Sequence, residues 1–172
     1  GFLQECLRWW DQHLKGQDTG IMDEPMLRAW VQDPAAPATT GAEWPGRWVG
    51  EPDWTGMSRD TRSLFLTADG LRPAPDSAPI RLCSPQTAGQ AAGVWCNYGV
   101  GADGPLDQTL EDGFLTAFET PALTEDMDLL GFATFHAEAA CDQPQGPLVA
   151  VLSAVNPNGE ATSISYGVPN LT

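Results

Sequence analysis

A chain of 172 residues can hold one domain with a sizeable core, and a hydrophobic fraction of 42% is that of a globular protein, which argues against overall disorder. With 23 acidic against 8 basic residues the formal charge is -15, so the field of the chain repels phosphate backbones and anionic lipid, and no nucleic acid is expected as a partner. No apolar run is long enough to span a bilayer and no basic start with an apolar stretch marks a signal peptide, so no membrane partner is expected; the chain is expected to be soluble, with the compartment open and the cytoplasm favoured.

The first predicted element is a helix over residues 1–16. Leu3, Leu7, Trp10 and Leu14 recur at steps of four and three residues, and Phe2, Cys6, Trp9 and His13 form a second stripe beside them. Gln4, Glu5, Arg8, Asp11, Gln12 and Lys15 make the remaining face, expected to be solvated, and Gly16 is a natural C-terminal stop. Two apolar stripes are more than a surface helix usually carries, so this helix is expected to sit on a neighbour lying outside the chain.

Residues 17–25 form a connector whose Gln17-Asp-Thr-Gly20 is turn chemistry, and Met26 to Gln32 alternates as a first strand. Asp33 to Asp60 is rich in Pro, Gly and Trp and is expected to be a long coil, with Trp44, Trp48 and Trp54 as aromatic anchors against another surface. Ser63-Leu-Phe-Leu-Thr67 followed by Ala68-Asp-Gly-Leu71 predicts a strand and a hairpin turn. A second irregular stretch runs from Arg72 to about Gln108. The segments Gly113–Glu119, Leu129–Glu138, Leu148–Val155 and Ala161–Tyr166 are strand-like, the last two joined by the turn Asn156-Pro-Asn-Gly159. Many strands and one helix predict a mainly β chain, an antiparallel sandwich over residues 26–172.

No catalytic engine is legible. The nearest approach to a nucleophile elbow, Gly56-Met-Ser-Arg-Asp60, lacks the second glycine, so Ser58 is expected to be a loop serine. His13 and His136 are expected to be hydrogen-bonded packing residues, because no motif places a nucleophile or an orienting acid beside either. Cys6, Cys83, Cys96 and Cys141 contain no Cys-x-x-Cys pair, which argues against a zinc knuckle; buried or spare thiols are the default, with disulfides open in an oxidising compartment. Asp103, Asp107, Glu111 and Asp112, and Glu125, Asp126 and Asp128, lack EF-hand spacing and are expected to be hydrated rather than to bind calcium. No metal site and no cofactor is predicted. The tryptophans also admit a free-standing sugar-binding module as an alternative.

The motifs taken together resemble one family. Phe2-Leu-Gln-Glu-x-Leu-Arg-Trp-Trp-Asp-x-x-Leu-Lys-Gly16 and Asp18-Thr-Gly-Ile-Met-Asp-Glu-Pro25 look like the segment joining the catalytic and C-terminal domains of the cocaine esterase and X-Pro dipeptidyl-peptidase family of serine hydrolases. Gly93-Val-Trp-Cys-Asn-Tyr-Gly99, Pro105-Leu-Asp-Gln108, Phe118-Glu-Thr-Pro-Ala-Leu123 with Glu125 and Asp126, Asn156-Pro-Asn-Gly159, Ser165-Tyr-Gly-Val168 and Asn170-Leu-Thr172 are similar to its C-terminal β-domain, in the same order.

The resemblance implies a jelly-roll sandwich of the galactose-binding type, preceded by the last helix of an α/β-hydrolase domain that is not part of this chain. It implies a triad of Ser, Asp and His upstream of the helix, so no catalytic residue is carried over. It further implies later strands beyond Asn170-Leu-Thr172, hence an incomplete sandwich with exposed sheet edges through which a homodimer could form. Leu3, Leu7, Trp10 and Leu14, with Trp44, Trp48 and Trp54, are the residues expected to dock on the hydrolase domain.

Overall fold

The computed structural model describes residues 1–40, 44–53, 61–76, 79–94 and 104–171. Trp54, Ser58, Cys96, Asp103, Thr172 and the centre of the Gly93 to Gly99 motif lie outside the described residues. Two compact units divide the chain: Gly1–Trp30 with Trp48–Asp60, and Val31–Arg47 with Thr61–Thr172.

The first unit opens with helix α1, Phe2–Lys15, whose residues include no proline, glycine or β-branched side chain, so nothing in its interior opposes helical dihedrals. Gly16 ends it in the left-handed conformation at φ 64°, and the Gln17 amide donates back to the Asp11 carbonyl at 3.1 Å. A single 3-10 turn follows at Ile21–Asp23. Strand β1, Leu27–Gln32, leads from this unit into the second and pairs with β2, Gly46–Glu51, which leads back. Along β1 the sheltered residues Leu27, Ala29 and Val31 alternate with exposed Arg28, Trp30 and Gln32, as the two-residue period requires. Trp30 meets Trp48 of β2 edge-to-face, with ring centroids 5.4 Å apart.

In the second unit β3, Phe65–Thr67, and β4, Gly70–Arg72, form the antiparallel hairpin expected from the Asp69-Gly70 pair, in the register Thr67 opposite Gly70. Gly70 has φ 105°, and a Cβ there would stand 2.5 Å from the Glu119 carbonyl oxygen, which accepts the Leu71 amide at 2.8 Å. Only glycine meets both conditions. The second expected hairpin is also present: β6, Ala150–Val155, pairs with β7, Ala161–Gly167, and Gly159 turns the chain with φ 92°. A bulge between Leu152 and Ser153 shifts its register. Two short strands, β5 at Gly146–Pro147 and β8 at Asn170–Leu171, pair antiparallel.

The fold is thus mainly β with one α-helix and small antiparallel sheets, consistent with a β-sandwich. Among the described residues the buried apolar side chains are Val31, Ala91 and Ala161, all in the second unit and all small or medium in size.

Three expectations are corrected. The stretch from Asp33 to Asp60 is not all coil: it contains β2, so Trp48 is a strand residue rather than a loop anchor. Gly113–Glu119 and Leu129–Glu138 form no strand, since alternation supplies a face but not the hydrogen-bonded neighbour that makes a ladder; beyond the one bond from Leu71 to Glu119, no described segment forms a ladder with them. Phe132 stands 85% exposed in the second of these runs. Both histidines are exposed, and neither has a hydrogen-bond partner among the described residues, so the bonding expected of them is not seen, although the His13 ring packs on Trp9. The three described cysteines, Cys6, Cys83 and Cys141, are free thiols.

Candidate docking surface on the amino-terminal helix

Helix α1 is amphipathic, but its sides are reversed relative to the usual arrangement. Its polar flank faces its own chain. Thr19 of the connector donates its amide to Gln12 Oε1 at 2.9 Å and its hydroxyl to the Arg8 carbonyl at 3.2 Å. Arg8 spans Glu5 on its own helix at 3.0 Å and Glu24 of the connector at 2.5 Å. Arg28 of β1 reaches the same two carboxylates, Glu24 at 2.9 Å and Glu5 at 3.3 Å. The Glu24 carboxyl is held below the ordinary glutamate value, chiefly by the hydrogen bond from Arg8 and further by the charge of Arg28, and the Arg8 guanidinium is held correspondingly higher. A face expected to be solvated is therefore engaged by the connector.

The apolar flank is left to solvent. At 3.6 residues per turn the stripe of Leu3, Leu7, Trp10 and Leu14 is centred about 130° round the helix from Arg8. These side chains are 79%, 57%, 53% and 74% exposed, and α1 buries no residue at all. In the adjoining stripe Phe2 is exposed and the Trp9 and His13 rings meet at a tilt of 49°, centroids 4.2 Å apart. Of the expected anchors, Trp48 belongs to the same unit as α1 and is largely exposed; Trp44 belongs to the other unit, and Trp54 lies outside the described residues.

Two of the acidic residues singled out from the sequence, Asp107 and Glu111, are backbone acceptors. Asp107 caps the 3-10 turn Gln108–Glu111 by accepting the Thr109 amide at 3.1 Å, and it accepts the Ala161 amide at 2.8 Å; those bonds, Ala161 first, hold its carboxyl below the ordinary aspartate value. Buried Glu111 accepts the Gly89 and Ala91 amides at 2.7 and 2.8 Å, and Gln108 Nε2 donates to the Ala91 carbonyl at 2.9 Å. The segment around residues 89–91 and the start of β7 are thus pinned to one short turn. Asp128 pairs with Arg47. Among the described residues no three His, Cys, Asp or Glu side chains gather where they could hold a metal ion. Asp107 had a visible signal, as a strong N-cap residue type, whereas nothing local marks Glu111 as buried.

A cleft of about 400 Å³ is lined by the β3–β4 hairpin and residues 120–127. Its lining holds Arg62 and Arg72 together with Glu125 and Asp126, so its charges cancel and select no ligand sign.

Comparison with known proteins accords with this picture. Residues 19–172 match the family model described as the X-Pro dipeptidyl-peptidase C-terminal non-catalytic domain. A presumed serine esterase of Mycobacterium bovis and one of Mycobacterium tuberculosis are each 29% identical over 170 residues, covering 95% of this chain and 25% of the relative. The chain therefore spans about a quarter of the length of the curated relatives it matches. No solved structure matches it significantly. The match over residues 19–172, which covers the small antiparallel sheets, leads to one assignment: the chain belongs to the family of X-Pro dipeptidyl-peptidase C-terminal non-catalytic domains.

Proposed function

We propose that this chain is the non-catalytic C-terminal β-sandwich, with its linker helix, of a serine hydrolase acting on ester or amide substrates, of the acyl or X-Pro dipeptidyl type. Residues 1–16 end the hydrolase domain, residues 17–25 connect, and residues 26–172 belong to a jelly roll of the galactose-binding type. The partner is the hydrolase part of the same protein. Leu3, Leu7, Trp10 and Leu14 dock on it, with Trp44, Trp48 and Trp54 as further contacts. A sandwich placed there walls the mouth of the active site, limits substrate size and keeps water from the acyl-enzyme chemistry.

The observation that carries this reading is the reversed helix: a chain that ion-pairs the polar flank of α1 and leaves four large apolar side chains more than half exposed has kept that flank for a neighbour. The length of the relatives supports a neighbour in the same polypeptide. Nothing in the structure or among these relatives favours the sugar-binding alternative.

Two experiments test the proposal. The 172-residue chain is expected neither to hydrolyse p-nitrophenyl esters nor to be labelled by a serine-reactive fluorophosphonate; stoichiometric labelling at Ser58 overturns the non-catalytic role. The reading frame ahead of Gly1 is expected to encode Gly-x-Ser-x-Gly and a histidine shortly before the helix, and a frame without them overturns the assignment of the partner.

A further inference from the structure

The four charges between α1, the connector and β1 form a closed ring of alternating sign. Going round it, Glu5 meets Arg8 at 3.0 Å, Arg8 meets Glu24 at 2.5 Å, Glu24 meets Arg28 at 2.9 Å and Arg28 returns to Glu5 at 3.3 Å. Two of the chain's 8 basic residues are concentrated here, in a molecule with 23 acidic ones, so the ring is locally neutral in a strongly negative field. No residue of α1 is fully buried, and its polar ties to the connector and β1 are this ring and the Thr19 bonds, with the cap at Gln17 closing the helix itself.

We infer that Glu5, Arg8, Glu24 and Arg28 are positioning residues, an ionic clasp that fixes the rotation of α1 about its own axis and so holds the stripe of Leu3, Leu7, Trp10 and Leu14 outward before any neighbour arrives. The purpose of the clasp rests on the docking function proposed above; its existence does not. A single apolar contact in its place would have drawn the greasy side of α1 onto its own chain. An ionic tether uses the polar flank alone, and contact with leucine would cost its charged groups their hydration. It also sets the order of events: orientation first, burial afterwards, with less of the docking energy lost to ordering the helix.

All four side chains are partly exposed, between 28% and 46%, so dissolved salt reaches them. At 1 M salt the Debye length falls to about 3 Å, the length of these contacts, so their attraction is weakened. The clasp is therefore salt-sensitive, and the amides it immobilises report on it. Those are Gln17, which donates to the Asp11 carbonyl, and Thr19, which donates to Gln12 Oε1.

The test is amide hydrogen exchange on the 172-residue chain. Raising sodium chloride from about 0.05 M to about 1 M is expected to speed exchange at Gln17 and Thr19 by about three- to fivefold, as two partly exposed pairs allow. Exchange in the β6–β7 hairpin serves as the internal reference and stays constant. Glu24→Gln is expected to give part of that acceleration at low salt and to shrink the further effect of salt, because Glu5 still pairs with Arg8 and Arg28; Glu5→Gln added to it is expected to abolish the salt effect. Exchange at Thr19 that ignores both salt and Glu24→Gln overturns the clasp. Such a failure is separate from the docking proposal, because exchange reads the isolated chain and docking is read on the parent protein.

Discussion

Trp10 offers the sharpest separation between a docking residue and a core residue. Its side chain is 53% exposed in this chain. Taking about 250 Å² for a whole tryptophan, roughly 130 Å² stays accessible, and covering it at about 25 cal/mol per Å² contributes about 3 kcal/mol. Trp10→Ala is therefore expected to weaken association with the separately produced hydrolase part by about 2–3 kcal/mol, some 30- to 150-fold in dissociation constant, as for an interface hot spot. The same substitution removes no core packing from the chain itself, since α1 buries no residue, so its own unfolding free energy is expected to move by no more than about 0.5 kcal/mol. Titration calorimetry and urea unfolding measure the two quantities on one preparation. An unchanged dissociation constant, or a loss of more than about 1.5 kcal/mol in the isolated chain, refutes the reasoning, because Trp10 would then be serving the fold rather than a neighbour.

Acid and truncation address the brace around Asp107 and Glu111. The Asp107 carboxyl lies below its ordinary value of 3.8 in the folded chain, so it contributes stability that is full above that value and is lost as pH falls through the lowered native one. Asp107→Asn keeps a side-chain acceptor without the charge and is expected to flatten the acid limb of the unfolding profile; an unaltered limb counts against the brace. Glu111→Ala leaves the Gly89 and Ala91 amides without their acceptor and is expected to cost on the order of 1–3 kcal/mol for each amide left unsatisfied, read by urea unfolding, while Glu125→Ala in the cleft lining changes little.

The parts of the fold legible in the sequence were those whose cause is local. The 3.6 period and Gly16 define α1, and Asp69-Gly70 and Asn156-Pro-Asn-Gly159 define two hairpins, because a helix face or a two-strand turn is decided within a dozen residues. Strand β2 was hidden behind Pro45 and Gly46, which look like loop chemistry. Pro45 in fact stands just before the strand, where it needs no amide, and its carbonyl accepts from Asp33 at 2.9 Å. The runs around Phe118 and Phe132 fail for the complementary reason: their pattern suits a strand, but pairing is a property of a second segment.

The apolar side of α1 was legible in the composition of its stripes. The clasp was not, because Arg8 and Glu24 are separated by 16 positions and meet only once the connector has turned back. Glu111 looked like one more hydrated charge, and only the approach of two amides from 20 and 22 positions away buries it.

Hydroxyl-radical footprinting of Trp9 and Trp10 reads the contested surface itself. In the 172-residue chain both indoles are open to solvent and are expected to oxidise readily. In the full-length parent, Trp10 is expected to be protected at least tenfold while Trp48 serves as a second reporter. Equal oxidation of Trp10 in the chain and in the parent contradicts a helix that covers its apolar side with the hydrolase domain.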